Sequence, residues 1–199
     1  MKLRFDKKLA LIASTVLVVL GVAGSLPTLY FHFMNNGSVT AHGLPESKPA
    51  NSSKIEAIGH PKQISIPSLN IELPVIDGFY NSANRQWTLT LNKAQFATVT
   101  PEPNNISGNT FIYGHYRREV FAYLHNIKPG SKAIITTDNG YKFIYKFEQT
   151  YATSPDDTSV FDYDGAPILT VQTCSGTWFQ NRQMYLFEFV KYEKIKTAE

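Results

Sequence analysis

The chain contains one cysteine, Cys174, and its position in the sequence suggests chemistry. Cys174 follows the alternating apolar segment Ile168 to Thr173 and comes directly before Ser175-Gly176-Thr177, a combination typical of a loop. A thiol at the end of a strand lies at the rim of a sheet, where a substrate reaches it. A lone cysteine is also commonly a small buried hydrophobe without reactivity. The residue type alone therefore leaves both interpretations open.

Histidine is the usual partner of a catalytic thiol, because its pKa lies near neutrality. His115 ends the apolar segment Thr110 to Gly114, so it has the same strand-to-loop position as Cys174. Taken alone, His115 also fits a structural role. The other histidines lie where little in the sequence would hold them rigidly, towards the N-terminus or in a short predicted helix: His32, His42, His60 and His125.

Acyl transfer through a thiol also requires a group that stabilises the developing oxyanion. Arg182 follows Cys174 by eight residues and lies just before the apolar segment Met184 to Tyr192. A loop of that length allows the start of the last strand to lie beside the end of the strand before it. We therefore expect Arg182 next to Cys174, although an isolated arginine is usually a solvated surface charge.

The elements that must position these residues are short strands. From Ile55 onward, apolar and polar residues alternate in segments separated by Pro, Gly and Asn, which predicts a half-buried antiparallel sheet. Asp138-Asn139-Gly140 predicts a tight hairpin, because Asn-Gly accepts the positive φ of such turns. Residues 119–127 predict a short helix. We expect an all-β fold closed into a barrel, since closure removes exposed edges. The candidate strands are Gln63–Ile66, Ile71–Ile76, Trp87–Leu91, Thr110–Gly114, Lys132–Thr137, Tyr141–Tyr151, Ile168–Thr173 and Met184–Tyr192.

The composition excludes several classes of protein. Hydrophobic residues make up 43% of the chain and aromatic residues 13%, which excludes an intrinsically disordered protein. The net charge of +3 arises within residues 1–8, and the remaining acidic and basic side chains cancel. Because the excess charge lies in one short flank, no nucleic-acid partner is expected.

An uncharged segment follows that basic flank. Residues 9–26 carry no charge, and with residues 27–31 they are long enough to cross a bilayer. The cations before the segment predict a cytoplasmic N-terminus and an extracellular remainder. The alternative is a cleaved signal peptide. Either interpretation places the barrel domain outside the cell. The predicted organisation is a cytoplasmic flank (1–8), a transmembrane helix (9–31), a flexible extracellular stalk (32–58) and the barrel domain (59–199).

A family resemblance appears once these motifs are read together. Thr170-Val171-Gln172-Thr173-Cys174, followed by Arg182, resembles the TLxTC-to-Arg signature of sortases, with Val171 where Leu is usual. Gly114-His115 after an apolar strand resembles the catalytic histidine motif of the same family. The resemblance extends over roughly residues 64–192 and includes the order of anchor, stalk and barrel.

The resemblance implies a membrane-anchored cysteine transpeptidase on a closed eight-stranded β-barrel. Cys174 would attack an LPxTG-like sorting signal of a surface protein and form a thioacyl enzyme. His115 would protonate the departing amine and deprotonate the incoming one, and Arg182 would stabilise the tetrahedral intermediate. Thr173 would line the same site and bind substrate. The acceptor would be an amine of a cell-wall precursor or a pilin lysine, and this chemistry needs no cofactor.

Four aspartates precede the strand that carries Cys174. Some sortases bind calcium in this region, and Asp156, Asp157, Asp162 and Asp164 would suit oxygen ligation. The same residues are also good turn formers, as in Ser154-Pro155-Asp156-Asp157. We favour turns and expect no metal site.

Two other functions remain open at this stage. The first is a membrane-tethered β-barrel that binds glycan or peptide through exposed residues such as Trp87 and Trp178, with Cys174 inert. The second is an L,D-transpeptidase-like thiol enzyme. It fits less well, because that family resembles a His-Gly-Cys arrangement and here Thr173 precedes Cys174.

Overall fold

The computed structural model describes residues 57–81, 86–175 and 181–195. Eight of the strands in these residues close into a barrel with the order β1-β2-β5-β6-β9-β10-β8-β7, and β3 pairs with β4 in a separate two-stranded sheet. This confirms the predicted all-β closed barrel. The strands are β1 (Pro61–Ile66), β2 (Ile71–Gly78), β3 (Tyr80–Asn81), β4 (Gln86–Trp87), β5 (Ala94–Ala97), β6 (Asn109–Tyr113), β7 (Lys132–Thr137), β8 (Tyr141–Thr153), β9 (Ile168–Ser175) and β10 (Asn181–Lys194).

The strand directions bring the ends of three strands together. In the barrel, β2 pairs with β5 and β6 with β9 in parallel, whereas the other neighbours are antiparallel. The last residues of β6 and β9 therefore lie at the same end of the barrel as the first residues of β10. We call this end, marked by Tyr113, Ser175 and Asn181, the upper end.

The barrel interior is filled from alternate positions of each strand. Along β8, Phe143, Tyr145 and Phe147 belong to the core, whereas Lys142 and Lys146 are exposed. This confirms the predicted two-residue alternation. The predicted hairpin also forms between β7 and β8, and Gly140 adopts a φ of 83° in it. Gly140 therefore supplies the positive φ that this turn requires.

Short 3₁₀ helices lie at the loops. The segment that leaves β6 crosses the upper end and places Val120, Phe121 and Leu124 in the core. Part of it forms the 3₁₀ helix Ala122–Asn126, where the sequence predicts a short helix. Two further 3₁₀ helices are Pro67–Leu69 and Ser159–Phe161.

One predicted barrel strand is wrong. Trp87 to Leu91 was expected to pair in the barrel, but Trp87 lies in β4, and Thr88 to Leu91 are outside the strands. The barrel position is taken by Ala94–Ala97, which pairs in parallel with β2 and antiparallel with β6. The four residues of β5 are all buried, so burial on both faces replaces the alternation expected of a half-buried strand.

The chain enters the barrel through a clamped segment. Ala57 is buried in the core, and the Gly59 amide donates to the Pro103 carbonyl. His60 lies between two carboxylates, with Nε2 2.8 Å from Asp77 and Nδ1 2.9 Å from Glu102. Nothing local in the sequence predicts a rigid position for His60. In the structure, Asp77 and Glu102, which are distant in the sequence, hold its ring in place.

The predicted membrane anchor and most of the predicted stalk lie outside the described residues. Among residues 57–81, 86–175 and 181–195, no helix has the length and apolar character needed to cross a bilayer. The domain boundaries given above remain predictions.

Two phenylalanines provide a test of the core. Phe143→Ala removes a side chain with no exposed surface, and we expect a loss of about 3–5 kcal/mol in the free energy of unfolding, because a cavity remains. Phe79→Ala is the matched control, since Phe79 is 55% exposed, and we expect a change within about 0.5 kcal/mol. Urea denaturation of both variants measures this. Equal losses would contradict the assigned interior.

His60 should make stability depend on pH. Burial alone lowers the pKa of His60, but the hydrogen bond to Glu102 and the charge of Asp77 outweigh it, so the pKa is raised above 6.5. The folded protein therefore holds this proton more tightly, and the resulting stabilisation is complete below about pH 6.5 and disappears as pH rises through the raised pKa. We expect about 1 kcal/mol or less, because the groups are partly exposed.

The comparison is with His60→Gln, which keeps hydrogen-bonding groups but does not titrate. The difference in unfolding free energy between wild type and variant should shrink when pH rises from 5.5 to 9. A difference that is constant over this range would show that His60 does not carry the effect.

Candidate active site

The pairing of β6 with β9 sets the position of His115. Tyr113 lies opposite Gln172, and the Gly114 amide donates to the Gln172 carbonyl at 3.1 Å. The paired register ends here, and His115 follows Tyr113 by two residues just as Cys174 follows Gln172 by two. Both residues therefore lie at the upper end of the barrel.

The pairing of β9 with β10 brings Arg182 to the other side of Cys174. Arg182 and Cys174 are direct partners in the antiparallel register. Its Nη1 donates to the Asn181 carbonyl at 3.3 Å. Arg182 on β10 and Cys174 on β9 are therefore neighbours, and His115 lies in the loop directly after β6, the strand on the other side of β9.

Alternation along the strands decides which face each side chain occupies. Leu169 and Val171 belong to the barrel core, so Cys174 lies on the outer face of β9. On β10, Tyr185 is in the core, and Arg182 therefore shares the outer face with Cys174. Cys174 is partly exposed, which argues against a buried inert thiol.

Thr173 takes the opposite orientation. Its side chain is 1% exposed and lies on the interior face with Val171. Within the described part of the chain, its hydroxyl has no hydrogen-bond partner. The Thr173 side chain therefore lies beneath the face that carries Cys174.

The loop after β6 holds His115 in place. The His115 carbonyl accepts hydrogen bonds from the amides of Arg117, at 2.9 Å, and Phe121, at 3.3 Å. At Gly114, a Cβ atom would lie 2.8 Å from a methyl carbon of Val120 and 2.9 Å from the Phe121 ring. This close approach explains why glycine precedes the histidine.

The imidazole of His115 is partly withdrawn from water. Burial lowers its pKa below 6.5, and the positive charge of Arg117 lowers it further. His115 is therefore mainly neutral at pH 7. A neutral imidazole accepts a proton at one nitrogen and is ready to act as a base.

An aromatic layer lies beside these residues on the outer face. Phe111 and Tyr113 project from β6, and Trp87 and Phe161 pack over them, with the Trp87 ring 5.3 Å from Tyr113 and the Phe161 ring 5.3 Å from Phe111. The Tyr113 hydroxyl donates to the Thr88 carbonyl at 2.9 Å. We call Trp87, Phe111, Tyr113 and Phe161 the aromatic wall.

Sequence reasoning missed the aromatic wall as a unit. Its members come from three separate segments, so no local pattern joins them. Tyr113 could, however, have been connected with the site from the sequence. It precedes His115 by two residues, and residues two apart in an extended chain lie on the same face. Trp178, which the sequence also singled out, lies outside the described residues.

The aspartates before β9 act as turn residues where their contacts are described. The Asp157 carboxylate accepts hydrogen bonds from the Thr153 hydroxyl and from the Ser159 amide, the latter at 2.9 Å. Within the described residues, no group of three or more His, Cys, Asp or Glu side chains is arranged to hold a metal ion.

The remaining described histidine outside the site is His125. It is exposed in the 3₁₀ helix after β6, and its Nδ1 lies 2.5 Å from the Ala122 carbonyl. His32 and His42 lie outside the described residues. Of the described histidines, His115 alone lies in the loop directly after β6, the neighbour of the strand that carries Cys174.

The origin of the lowered His115 pKa can be tested. Arg117→Gln should raise the pKa of His115, because it removes the charge that disfavours the imidazolium, although burial keeps the pKa below 6.5. A titration of the His115 ring protons by NMR measures this. Arg118→Gln is the matched control, and a larger rise there than in Arg117→Gln would refute the assignment.

Solved structures with a similar fold are known. The chain is 22% identical to sortase E1 of Streptomyces coelicolor, whose structure holds a tripeptide in the active site, with a TM-score of 0.54 over 69% of this chain and 91% of that one. It is 26% identical to sortase A of Listeria monocytogenes, with a TM-score of 0.51 over 68% of this chain and 90% of that one.

A third solved structure shows the same fold. Sortase A of Corynebacterium diphtheriae is 20% identical, with a TM-score of 0.53 over 68% of this chain and 62% of that one. No curated protein sequence matches the chain. A Sortase domain model matches residues 64–188, which is more than half of the sequence, and the chain therefore belongs to the sortase family.

Proposed function

We propose that this sortase is a cysteine transpeptidase that cleaves an LPxTG-like sorting signal and joins the released carboxyl group to an amine. The observation that carries the proposal is the strand register: Arg182 on β10 pairs directly with Cys174 on β9, and His115 follows β6, the other neighbour of β9, by two residues. A nucleophile, an acid–base group and a cation at one end of the barrel are the parts that acyl transfer requires.

The first half of the reaction begins with a proton transfer. His115 is mainly neutral at rest, because burial and Arg117 lower its pKa. As Cys174 attacks the substrate carbonyl, its thiol proton passes to His115, and the resulting imidazolium then protonates the departing amine. The products of this half are a thioacyl enzyme and a free amine, with His115 neutral again.

Arg182 has a different role. It pairs with Cys174 on the outer face, so its guanidinium is within reach of an oxygen on the carbon that Cys174 attacks. Arginine remains charged throughout the pH range of the reaction. We assign it to stabilising the oxyanion of the tetrahedral intermediate and to holding the substrate backbone.

The aromatic wall supports a position for the sorting signal. Phe111 and Tyr113 share the outer face of β6, next to the strand that carries Cys174. Apolar residues of the signal would pack against the half-buried Trp87 and Phe161 on the outside of this wall, since Phe111 and Tyr113 are buried beneath them. The threonine carbonyl of the signal would lie at Cys174. Thr173 would contact the substrate through its backbone, since its side chain faces the interior.

The second half of the reaction requires an amine acceptor from outside the chain. The acceptor would be a cell-wall precursor or a pilin lysine, and His115 would take its proton. Residues 9–31 would anchor the protein in the cell membrane, with the N-terminus in the cytoplasm and the barrel outside.

Mass spectrometry of the thioacyl enzyme tests the proposal. Incubation with an LPxTG-type peptide should add the acyl fragment to Cys174, and Cys174→Ala should form no adduct. Arg182→Ala should slow adduct formation by about 10²- to 10³-fold, as for loss of one oxyanion donor.

Lys191→Ala is the control, because it removes a cation from β10 at the opposite end of the strand. An unchanged rate in Arg182→Ala, or an adduct on the Cys174→Ala variant, would contradict the assigned roles. Resistance of Cys174 to alkylation in the folded protein would favour a binding module instead.

A further inference from the structure

A patch of exposed apolar side chains lies around β3, β4 and the end of β5. Among the described residues, eleven large apolar side chains are exposed, and five of these lie within residues 79–99. The exposed fractions of the five range from 41% to 62%. We call them the apolar patch: Phe79, Tyr80, Leu89, Leu91 and Val99. A cluster of this kind on the surface of a folded domain usually marks contact with a partner or a membrane.

Hydrogen bonds join the two chain segments of the patch. The Phe79 amide donates to the Thr88 hydroxyl at 2.9 Å, and the Thr88 amide donates to the Phe79 carbonyl at 2.9 Å. The Thr98 amide donates to the Gly78 carbonyl at 3.2 Å, which brings the segment with Val99 next to the segment with Phe79. The patch is therefore one connected surface rather than five scattered side chains.

The side chains of the patch and their neighbours suit a lipid surface. Within the described residues 79–81 and 86–92, every side chain is aromatic, aliphatic, hydroxyl or amide, and none is charged at neutral pH. Aromatic and neutral polar groups are favoured at the headgroup level, whereas a charge at apolar depth loses its hydration. Cations lie only towards the margin, where Lys93 is half-exposed and Lys62 is exposed, and there they suit anionic headgroups.

The chain enters the barrel beside the patch. His60 Nε2 lies 2.8 Å from Asp77, and Asp77 precedes Phe79 by two residues. Residues 32–56 separate this entry point from the proposed membrane anchor, residues 9–31. A chain of that length spans at most about 80–90 Å when fully extended, so the bilayer stays within this distance of the patch. The tether raises the effective concentration of lipid around the patch, which makes the bilayer the partner that the patch meets most often.

We propose that the apolar patch docks on the outer surface of the bilayer that anchors the chain. This inference rests on the membrane anchoring in the proposed function. Phe79 and the aliphatic members of the patch enter the boundary between headgroups and acyl chains, and Tyr80, whose ring lies 5.5 Å from that of Trp87, lies at the headgroup level. Five partly exposed side chains form a weak contact, so the docked state depends on the tether.

Docking brings the catalytic face close to the membrane surface. The Tyr113 hydroxyl donates to the Thr88 carbonyl at 2.9 Å, so the segment that carries Leu89 lies against β6. In the barrel, β6 separates β5 from β9, which carries Cys174. At about 4.8 Å per strand, β5 and β9 are roughly 10 Å apart. The docked enzyme therefore favours substrates that are themselves attached to a membrane over free peptides.

Quenching of a fluorescent probe by lipid tests the docking. The full-length Cys174→Ala protein has no other thiol, so Val99→Cys in that background accepts a thiol-reactive probe within the patch. Val190→Cys is the matched control, because Val190 is 51% exposed, Val99 is 61% exposed, and β10 lies three strands from β5. Both proteins are reconstituted into vesicles of phosphatidylcholine and phosphatidylglycerol in which part of the lipid carries a nitroxide. We expect several-fold stronger quenching of the probe at position 99 than of the probe at position 190.

Leu89→Ser combined with Leu91→Ser should undock the patch. Loss of two partly exposed aliphatic side chains should lower the ratio of docked to free protein roughly tenfold or more. Quenching at position 99 should then fall to the level at position 190. Ile195→Ser is the control, since Ile195 is 40% exposed and lies outside the patch, and it should leave the quenching unchanged. All these variants should unfold at the urea concentration of the parent protein, because the altered side chains are exposed.

The outcomes separate the docking from the proposed function. If the full-length protein does not float with the vesicles, the proposed anchoring fails and the docking fails with it. If it floats and the probes at positions 99 and 190 are quenched equally, the docking is overturned and the anchoring stands. Formation of the thioacyl enzyme on Cys174 is measured without a membrane, so the transpeptidase function stands or falls independently.

Two further results would assign the contact elsewhere. Quenching that survives Leu89→Ser combined with Leu91→Ser would overturn the docking, because another surface would then carry it. Shielding of the probe at position 99 from iodide, without quenching by the nitroxide lipid and increasing with protein concentration, would assign the patch to a second copy of the chain. That result would also overturn the docking.

Discussion

The candidate site depends on the parallel pairing of β6 with β9. These strands are far apart in the sequence, and their register brings the loop that begins after Tyr113, with His115, to the end of β9 that carries Cys174. A shift by one residue would separate them and would also turn every side chain of one strand to the opposite face. The apolar interior resists such a shift, since Ile112 and Val171 would leave the core. Packing inside the barrel therefore fixes the register of β6 and β9, and with it the relative positions of the residues on the outer face.

The same constraint gives β9 two functions on two faces. Leu169, Val171 and Thr173 face the interior, whereas Cys174 faces outward. The antiparallel partner β10 follows the same rule, with Tyr185 inside and Arg182 outside. Thr173 thus belongs to the interior of the fold, and Cys174 lies on the accessible face. An insertion or deletion of one residue at this end of β9 would therefore exchange the faces of Thr173 and Cys174.

Much of this arrangement was predictable from the sequence, and the failures have physical causes. Alternation located the strand that ends just before His115 and the strand that carries Cys174, because these strands follow local patterns. Trp87 to Leu91 looked like a barrel strand because aromatic and β-branched residues favour extended structure. The true strand, Ala94–Ala97, is specified by its two partners and by full burial, which no local pattern shows. His60 was missed for a similar reason, since its carboxylate partners come from distant segments.

The charges around the site act on His115 and on Cys174 from different strands. Burial and the positive charge of Arg117 lower the pKa of His115, so the imidazole is mainly neutral near pH 7. Arg182 lies on the other side of Cys174 as its direct strand partner. A neutral imidazole acts as a base before it acts as an acid, because it must first take up a second proton. In the proposed reaction that proton would come from Cys174, so protonation of the leaving amine would follow the attack on the bound carbonyl and could not precede it.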